Sequence, residues 1–467
     1  MAEVVAIKIK GEHNDSENID CKQRRDCHRI IRACREMGIE TVAVYSEADR
    51  EALHTQLADE AVCIGPAAAK DSYLNMEQII SATMITGADA IHPGFGFLSE
   101  NSQFAKLCEA CHITFIGPDS DIIARLGNKA VARQTMVDAG VPVIPGCQKA
   151  LTDVKEALEI AKGIGFPVIV KAVLGGGGKG MRVAYNEDEF ENAFLMAQKE
   201  SGLAFGDESM YLEHFVENPR HIEFQILADN YGNVIHLGER DCSVQRNHQK
   251  VIEESPSAVV DEELREKMGQ AAVLAAKAAG YKNAGTIEFL LEKDKSFYFM
   301  EMNTRIQVEH PVTEWVTGID LIKAQIRIAD GEKLKWKQED IQITGHAIEC
   351  RINAEDPSKN FRPCPGRITD MYLPGGKGVR IDSAIYSGCE VSPYYDSMIT
   401  KLIVFAATRK EAIAKMHRAL GEVIIEGITT NIDFLYEIME RPDYQEGDFT
   451  IQYLEKVLEE RSQEIKK

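Results

Sequence analysis

The chain has 467 residues, enough to bury substantial cores in roughly two to four domains. Acidic residues outnumber basic ones 74 to 53, and the net charge of −21 disfavours nucleic acid or an anionic membrane as a bulk partner. No apolar run approaches the ~20 residues of a membrane span, no signal-peptide core opens the chain, and eleven cysteines without framework spacing suit a reduced, cytoplasmic protein.

The first third alternates short apolar runs with helical patterns. Val4–Ile9 reads as a strand, Arg29–Met37 as a helix ended by Gly38, and Glu40–Tyr45 as a second strand. Ala61–Ile64, Ala90–His92 and Ile113–Gly117 follow, a spacing that predicts a parallel α/β sheet. Gly11–Asp26 has no periodic core pattern and reads as an exposed loop, long beside the usual 2–6 residues of a βα connection. Cys108, Cys111 and His112 match a haem-attachment pattern, but they end an amphipathic helix over 101–111 that predicts packed cysteines. Cys21, Cys27 and His28 lack the second pair that would complete a metal site.

A second region opens near Asn128 and Lys129. A helix over 130–139 leads through Gly140–Pro145 to another helix and then to the strand Phe166–Lys171. Gly175, Gly176, Gly177, Gly178, Lys179 and Gly180 come next, before a further strand over Met181–Tyr185. A dinucleotide fingerprint must open a helix, and a Walker loop needs Lys and Ser or Thr where Met181 stands. The glycines therefore read as the tip of a hairpin, a lid whose N–H groups can approach phosphates. Lys129, Lys171, Lys179 and Lys250 are spaced for a triphosphate, with Gln245 and His248 in a polar cluster beside Lys250.

Gly285–Leu291 and Ser296–Met302 flank a polar turn and predict a hairpin with its tip at Asp294 and Lys295. That register sets Glu288 nearly opposite Glu301, and two such carboxylates call for a cation, Mg²⁺ or Mn²⁺, between them. Continued as a strand to Glu309, the same stretch puts Glu301, Asn303, Arg305, Gln307 and Glu309 on one face: acids, an amide pair and an anion clamp. A third region from Gly345 has Gly- and Pro-rich turns at 374–378 and 393–398, the strand Lys401–Phe405 and a helix over 409–420. It predicts a β-rich lobe closed by helices.

With these features in place the chain closely resembles the biotin carboxylase subunits, members of the ATP-grasp ligases. The resemblance rests on His92–Asn101, Gly175–Met181, Glu217–Glu223, Glu239–Ser243, His248–Lys250, Glu301–Pro311 and Glu349–Pro357, and extends from about Arg29 to about Glu455. It implies a mixed α/β and α+β architecture in three parts: a Rossmann-like N-terminal domain over 1–127, an ATP-grasp domain over 128–330 with its lid at about 143–216, and a β-rich C-terminal domain over 345–455. It also implies ATP binding, with Lys129, Lys171, Gly175–Gly178, His221, Gln245 and His248 on the phosphate or ribose side. Glu213, Val216, Leu290 and Ile451 match positions around the adenine, and Glu288, Glu301 and Asn303 match the Mg²⁺ site.

By the same resemblance bicarbonate sits against Arg305, Gln307 and the Val308 backbone, with Lys250 completing the cationic surroundings. Glu309 is the implied base, carboxyphosphate the implied intermediate, and Arg351 the group that stabilises the biotin enolate. The chain lacks the Met-Lys-Met setting that carries biotin, so a separate biotin carboxyl carrier protein and carboxyltransferase subunits are implied, as in acetyl-CoA carboxylase. Rival readings are a pyruvate or other acyl-CoA carboxylase subunit, another ATP-grasp ligase, or a catalytically weak assembly subunit. Two departures bear on the implied homodimer. Lys10–His28 does not match the family, although Arg29, Arg32 and Glu36 do, and Lys377 replaces an aromatic residue or Pro near Arg380.

Overall fold

The computed structural model describes residues 5–7, 26–147, 149–172, 181–205 and 207–465. These divide into a larger unit (5–141, 220–289 and 301–465) and a smaller one (142–219 and 290–300).

The larger unit begins with β1 (Val5–Ile7), β2 (Thr41–Ser46), β3 (Glu60–Gly65), β4 (Ala90–His92) and β5 (Thr114–Phe115), in sheet order β3-β2-β1-β4-β5. The parallel arrangement expected from the sequence holds for β2 with β3 and for β4 with β5. β1 is the exception, antiparallel to both its neighbours. Residues 8–25, most of the Lys10–His28 segment, lie outside the described residues. A strand–helix–strand order favours the parallel sense through its crossover helix but does not impose it.

The helix Asp26–Glu36 buries Cys27, Ile30, Ile31 and Cys34, the i, i+3, i+4, i+7 stripe of an amphipathic helix. The helix Ser102–Ala110 is capped by Asn101, whose side chain accepts from the Phe104 N–H. It buries Cys108, as expected, and leaves Cys111 half-buried at its end. Burial pushes the Cys108 thiol up to about 12, so it is a packed, neutral thiol and no ready ligand.

The same unit holds most of an eight-stranded sheet. Its strands include β9 (Arg220–Ala228), β10 (Val234–Arg246), β11 (Gln249–Ser255), β12 (Asn283–Leu291), β13 (Phe297–Asn303) and β14 (His346–Asn353). The order runs β13-β12-β9-β10-β11-β14, then Met398–Ala406, then Val379–Ser383. The long strands of the third sequence region therefore continue the central sheet instead of forming one of their own. Every residue of β9 is buried, yet its sequence alternates. Ile222, Phe224 and Ile226 fall on one face, where Phe224 meets Phe289 edge-on beneath the alanine-rich helix Glu262–Ala279. His221, Glu223 and Gln225 fall on the other. β14 does the same: Ile348, Cys350 and Ile352 join the core under the helices Arg409–Glu422 and Ile432–Glu440, while Glu349 and Arg351 face the opposite way. That opposite face is covered by the helix His310–Thr317, through Val312 and Val316 against Ala347 and Ile403.

The smaller unit has β6 (Val168–Ala172), β7 (Met181–Ala184) and β8 (Met210–His214) in antiparallel order β7-β6-β8. Val168, Val170 and Leu212 pack against Phe190 and Phe194 of the helix Glu187–Phe205 and against Ala157 and Ala161 of the helix Val154–Ile164. β6 pairs with β7 from Val168↔Ala184 to Lys171↔Met181, so the two strands read on either side of the glycines are neighbours. Gly175, Gly176, Gly177, Gly178, Lys179 and Gly180 themselves lie outside the described residues. No helix among the described residues is long and apolar enough to cross a membrane.

Candidate active site

The stretch from Glu301 to Glu309 is a strand only to Asn303, which corrects the reading of one continuous polar face. The Thr304 N–H turns to the Glu100 carboxylate at 3.0 Å instead of continuing a sheet ladder. Pro311, in the first turn of the helix His310–Thr317, then fixes a helical start that no strand can enter. Glu309 is the residue before that helix, at φ −82° and ψ 10°. The polar side chains converge by a turn, not by strand alternation.

At the centre is Lys250, near the start of β11. Its ammonium donates to Glu309 Oε1 at 2.7 Å, Glu223 Oε2 at 2.6 Å and Glu288 Oε1 at 3.0 Å. The other Glu309 oxygen accepts from Arg351 Nη2 at 3.0 Å, and Arg351 Nε donates to Glu253 Oε1 at 2.5 Å. Arg240, wholly buried, donates to the second Glu223 oxygen at 2.5 Å and to Gln225 at 2.8 Å. Burial opposes the charge on Glu309, but Lys250, Arg351 and Arg240 outweigh it and hold the carboxyl well below the usual range. Burial also opposes the charge on Lys250, and Glu223, Glu288 and Glu309 reverse that, keeping it firmly protonated.

Arg305 lies beside this group. Its Nε donates to Glu100 at 3.0 Å, Nη1 to Gln307 Oε1 at 2.8 Å and Nη2 to Asn303 Oδ1 at 3.0 Å. Gln307 in turn donates to Glu288 at 3.1 Å and Asn303 does so at 2.8 Å. The Val308 carbonyl accepts from the buried Lys401 at 2.7 Å.

β13 lies next to β12, as the hairpin reading expects. Glu288 is buried within 3.0 Å of His221 Nε2, and it is ionised: burial is outweighed by Lys250 and His221. Glu301 is half-exposed and lies 3.6 Å from the Lys129 ammonium. Glu288, Glu301 and the Asn303 amide oxygen are hard donors of the kind Mg²⁺ takes, so these residues fit the ion. The donor atoms of His221, Glu223 and Glu288 also lie within 4.8 Å of one another, a grouping the sequence did not suggest.

The remaining candidates are more dispersed. Gln245 is buried near the end of β10, donating to the Cys242 carbonyl at 3.5 Å. His248 is exposed in the β10–β11 turn at φ 63°, and Ile451 is half-buried before the last helix. In the smaller unit Lys171 and Glu213 are ion-paired across β6 and β8, and Val216 and Leu290 are half-buried. Reading the sequence missed Glu100, Glu223, Arg240, Glu253 and Lys401. A signal for three of them was there: the alternation His221, Glu223, Gln225 inside an apolar run, Arg240 within Glu239–Ser243, and Glu100 within His92–Asn101.

A base held between a lysine and an arginine, on an antiparallel sheet with acid and amide donors alongside, points to an ATP-dependent ligase. Residues 128–337 match the carbamoyl-phosphate synthase L chain ATP-binding domain. Residues 23–123 and 349–456 match the biotin carboxylase N-terminal and C-terminal domains. The chain is 60% identical over 429 residues to biotin carboxylase 1 of Bacillus subtilis (strain 168), covering 91% of this chain and 95% of that one. The biotin carboxylase domain of a thermophilic 2-oxoglutarate carboxylase, bound to ADP without magnesium, superposes with a TM-score of 0.90 at 50% identity, covering 95% and 98% of the two chains. Its bicarbonate-bound form gives 0.88 at 50% identity, with coverage of 94% and 97%. The chain belongs to the biotin carboxylase family, enzymes of ATP-dependent biotin carboxylation.

Proposed function

We propose that the chain performs the first half-reaction of acetyl-CoA carboxylase. Biotin on a separate carrier protein is carboxylated with ATP and bicarbonate through carboxyphosphate, and carboxyltransferase subunits carry the group onward to malonyl-CoA for fatty acid synthesis. The observation that supports this most directly is Glu309, held 2.7 Å from Lys250 and 3.0 Å from Arg351. So stabilised, it is a weak base. A bicarbonate anion beside Arg305, Gln307 and Val308 draws Lys250 and Arg351 partly onto itself, and the proton affinity of Glu309 rises as they leave it. The base is thus activated by the substrate it deprotonates. Arg351 is then assigned to stabilise the negative oxygen of the biotin enolate.

Glu288, Glu301 and Asn303 are assigned to Mg²⁺ or Mn²⁺, which when bound supplies charge neutralisation on the nucleotide phosphates. Lys129, His221, Gln245, His248 and Ile451 carry nucleotide assignments in the larger unit. Lys171, Glu213, Val216 and Leu290 carry them in the smaller one, with Gly175–Gly178 assigned by motif alone. The proposed domains are 1–127, 128–330 and 345–455, the protein is read as cytoplasmic, and homodimerisation is assigned to the surface near Arg29, Arg32, Glu36, Lys377 and Arg380.

The test is ATP hydrolysis with Mg²⁺ and free biotin, with and without bicarbonate, using labelled bicarbonate. Label on biotin with bicarbonate-dependent turnover is the expected result; tight ATP binding with no turnover would point to an assembly subunit. A second reading, a keto-acid carboxylase subunit, is favoured by the likeness to the 2-oxoglutarate carboxylase domain. Supplying the carboxylated carrier to acetyl-CoA and pyruvate carboxyltransferases separates the two.

A further inference from the structure

Behind Arg351 lies a second pair of acids that the reaction scheme does not use. Glu253 on β11 and Glu349 on β14 are direct cross-strand partners, and both are completely buried. Side chains so placed have Cβ atoms about 5 Å apart. One Glu253 oxygen accepts from Arg351. The other, and both oxygens of Glu349, have no hydrogen-bond partner among the described residues. Two ionised carboxylates cannot satisfy one another, because each only accepts; one proton turns the pair into a donor and an acceptor.

The surroundings decide which group carries it. Arg351, on Glu349's own strand, is committed to Glu253 and Glu309. From Met398–Ala406, Lys401 faces the acid, its ammonium donating to the Val308 carbonyl, and Ile403 lies directly opposite. The helix His310–Thr317 adds the apolar Val312 and Val316, and the turn before it adds Glu309, a second negative charge. Burial pushes the Glu349 carboxyl well above the usual range; Lys401 opposes this and Glu253 adds to it. Burial pushes the Glu253 carboxyl up as well, but there Arg351, bound directly to it, pulls it back down.

We propose that Glu349 is a positioning residue for the carboxylation: its carboxyl group donates a hydrogen bond to Oε2 of Glu253, which fixes the other Glu253 oxygen against Arg351 and so aims the guanidinium at Glu309. The proposal rests on the assignment of Arg351 and Glu309 above. Glu349 touches no substrate; it acts through two side chains.

The test compares the parent protein with Glu349→Gln and Glu349→Met in the free-biotin assay, alongside infrared difference spectra at pH 7. Glutamine keeps a donor and carries no charge, so Glu349→Gln retains kcat within about threefold of the parent, as expected when a neutral donor replaces another. Methionine fills similar space without a donor, and Glu349→Met loses about tenfold or more in kcat, the worth of a hydrogen bond to a charged group, with KM for ATP unchanged. The parent-minus-Glu349→Gln spectrum shows the C=O stretch of a protonated carboxyl group. Three results would overturn the proposal: no such band, full activity in both variants, or Glu349→Gln as impaired as Glu349→Met. The spectrum also decides if the methionine variant does not fold. Full activity in an Arg351→Ala variant, with the band present in the parent, would instead remove the assignment of Arg351 on which the proposal stands.

Discussion

Replacing Lys250 by methionine removes the cation that three buried carboxylates share. Its ammonium lies 2.6 Å from Glu223, 2.7 Å from Glu309 and 3.0 Å from Glu288. The three contacts do not add, because Glu223 keeps Arg240, Glu309 keeps Arg351, and Glu288 keeps His221 with two amide donors. The loss is that of breaking one buried ion pair, about 3–5 kcal/mol. Its pH dependence is the sharper prediction. In the parent, burial is outweighed by the cations, so Glu288 and Glu309 are depressed below the unfolded value of about 4.3. The stability they contribute is therefore complete above about pH 5 and is lost only as pH falls through the folded values. In Lys250→Met burial prevails and the same carboxyls rise above the unfolded value, so their cost is greatest at high pH and is relieved as they take up protons. Urea unfolding of parent and variant at pH 5, 6.5 and 8 measures the gap, which is expected to be widest at pH 8. A gap constant across this range, or no gap, would refute the argument that Lys250 stabilises the fold through these acids.

Glu309→Gln keeps the shape of the base and removes its proton affinity; carboxylation falls by about 10²–10⁴, the usual worth of general base catalysis, while ATP affinity measured by calorimetry stays close to the parent's. Glu288→Gln raises the Mg²⁺ concentration needed for half-maximal ATP turnover, and metal-independent activity in that variant would contradict the metal assignment. Glu100→Gln weakens the clamp on Arg305 Nε and the Thr304 N–H. Its KM for bicarbonate rises by about tenfold, as for one charge-assisted hydrogen bond, with KM for ATP unmoved; an unchanged bicarbonate KM would show that Arg305 holds its place without Glu100.

The motifs made Lys250, Glu288, Arg305, Glu309 and Arg351 visible because each sits in a run whose residue types make poor sense as surface. What the sequence could not show is how they meet. Period-two alternation carried correctly as far as Asn303 and then failed, since the Thr304 N–H takes a partner more than 200 residues away in the chain. Glu253 and Lys401 were hidden for a related reason. A charged residue in an apolar strand looks like a solvated edge until the strands on either side are known, and cross-strand register is a property of the sheet, not of the segment. The direction of β1 was illegible because the order of strands and helices favours a parallel pairing through a crossover helix without imposing it.

The continuation of the central sheet through β14 and on into Met398–Ala406 has a consequence for how this chain can be divided. A cut near residue 340 falls between two sequence regions and looks harmless on paper. It would strip β14 from β11, leaving a row of unpaired N–H and C=O groups on what had been an interior strand, a surface prone to self-association. Arg351 and Lys401 would leave with the excised piece, and Glu253 and Glu309 would be exposed on the remainder. Fragments made at that boundary are expected to aggregate, and the two halves to regain turnover only when expressed together. Insertions are better borne at the solvent-exposed β9–β10 turn over 230–233, which carries none of the assigned site residues.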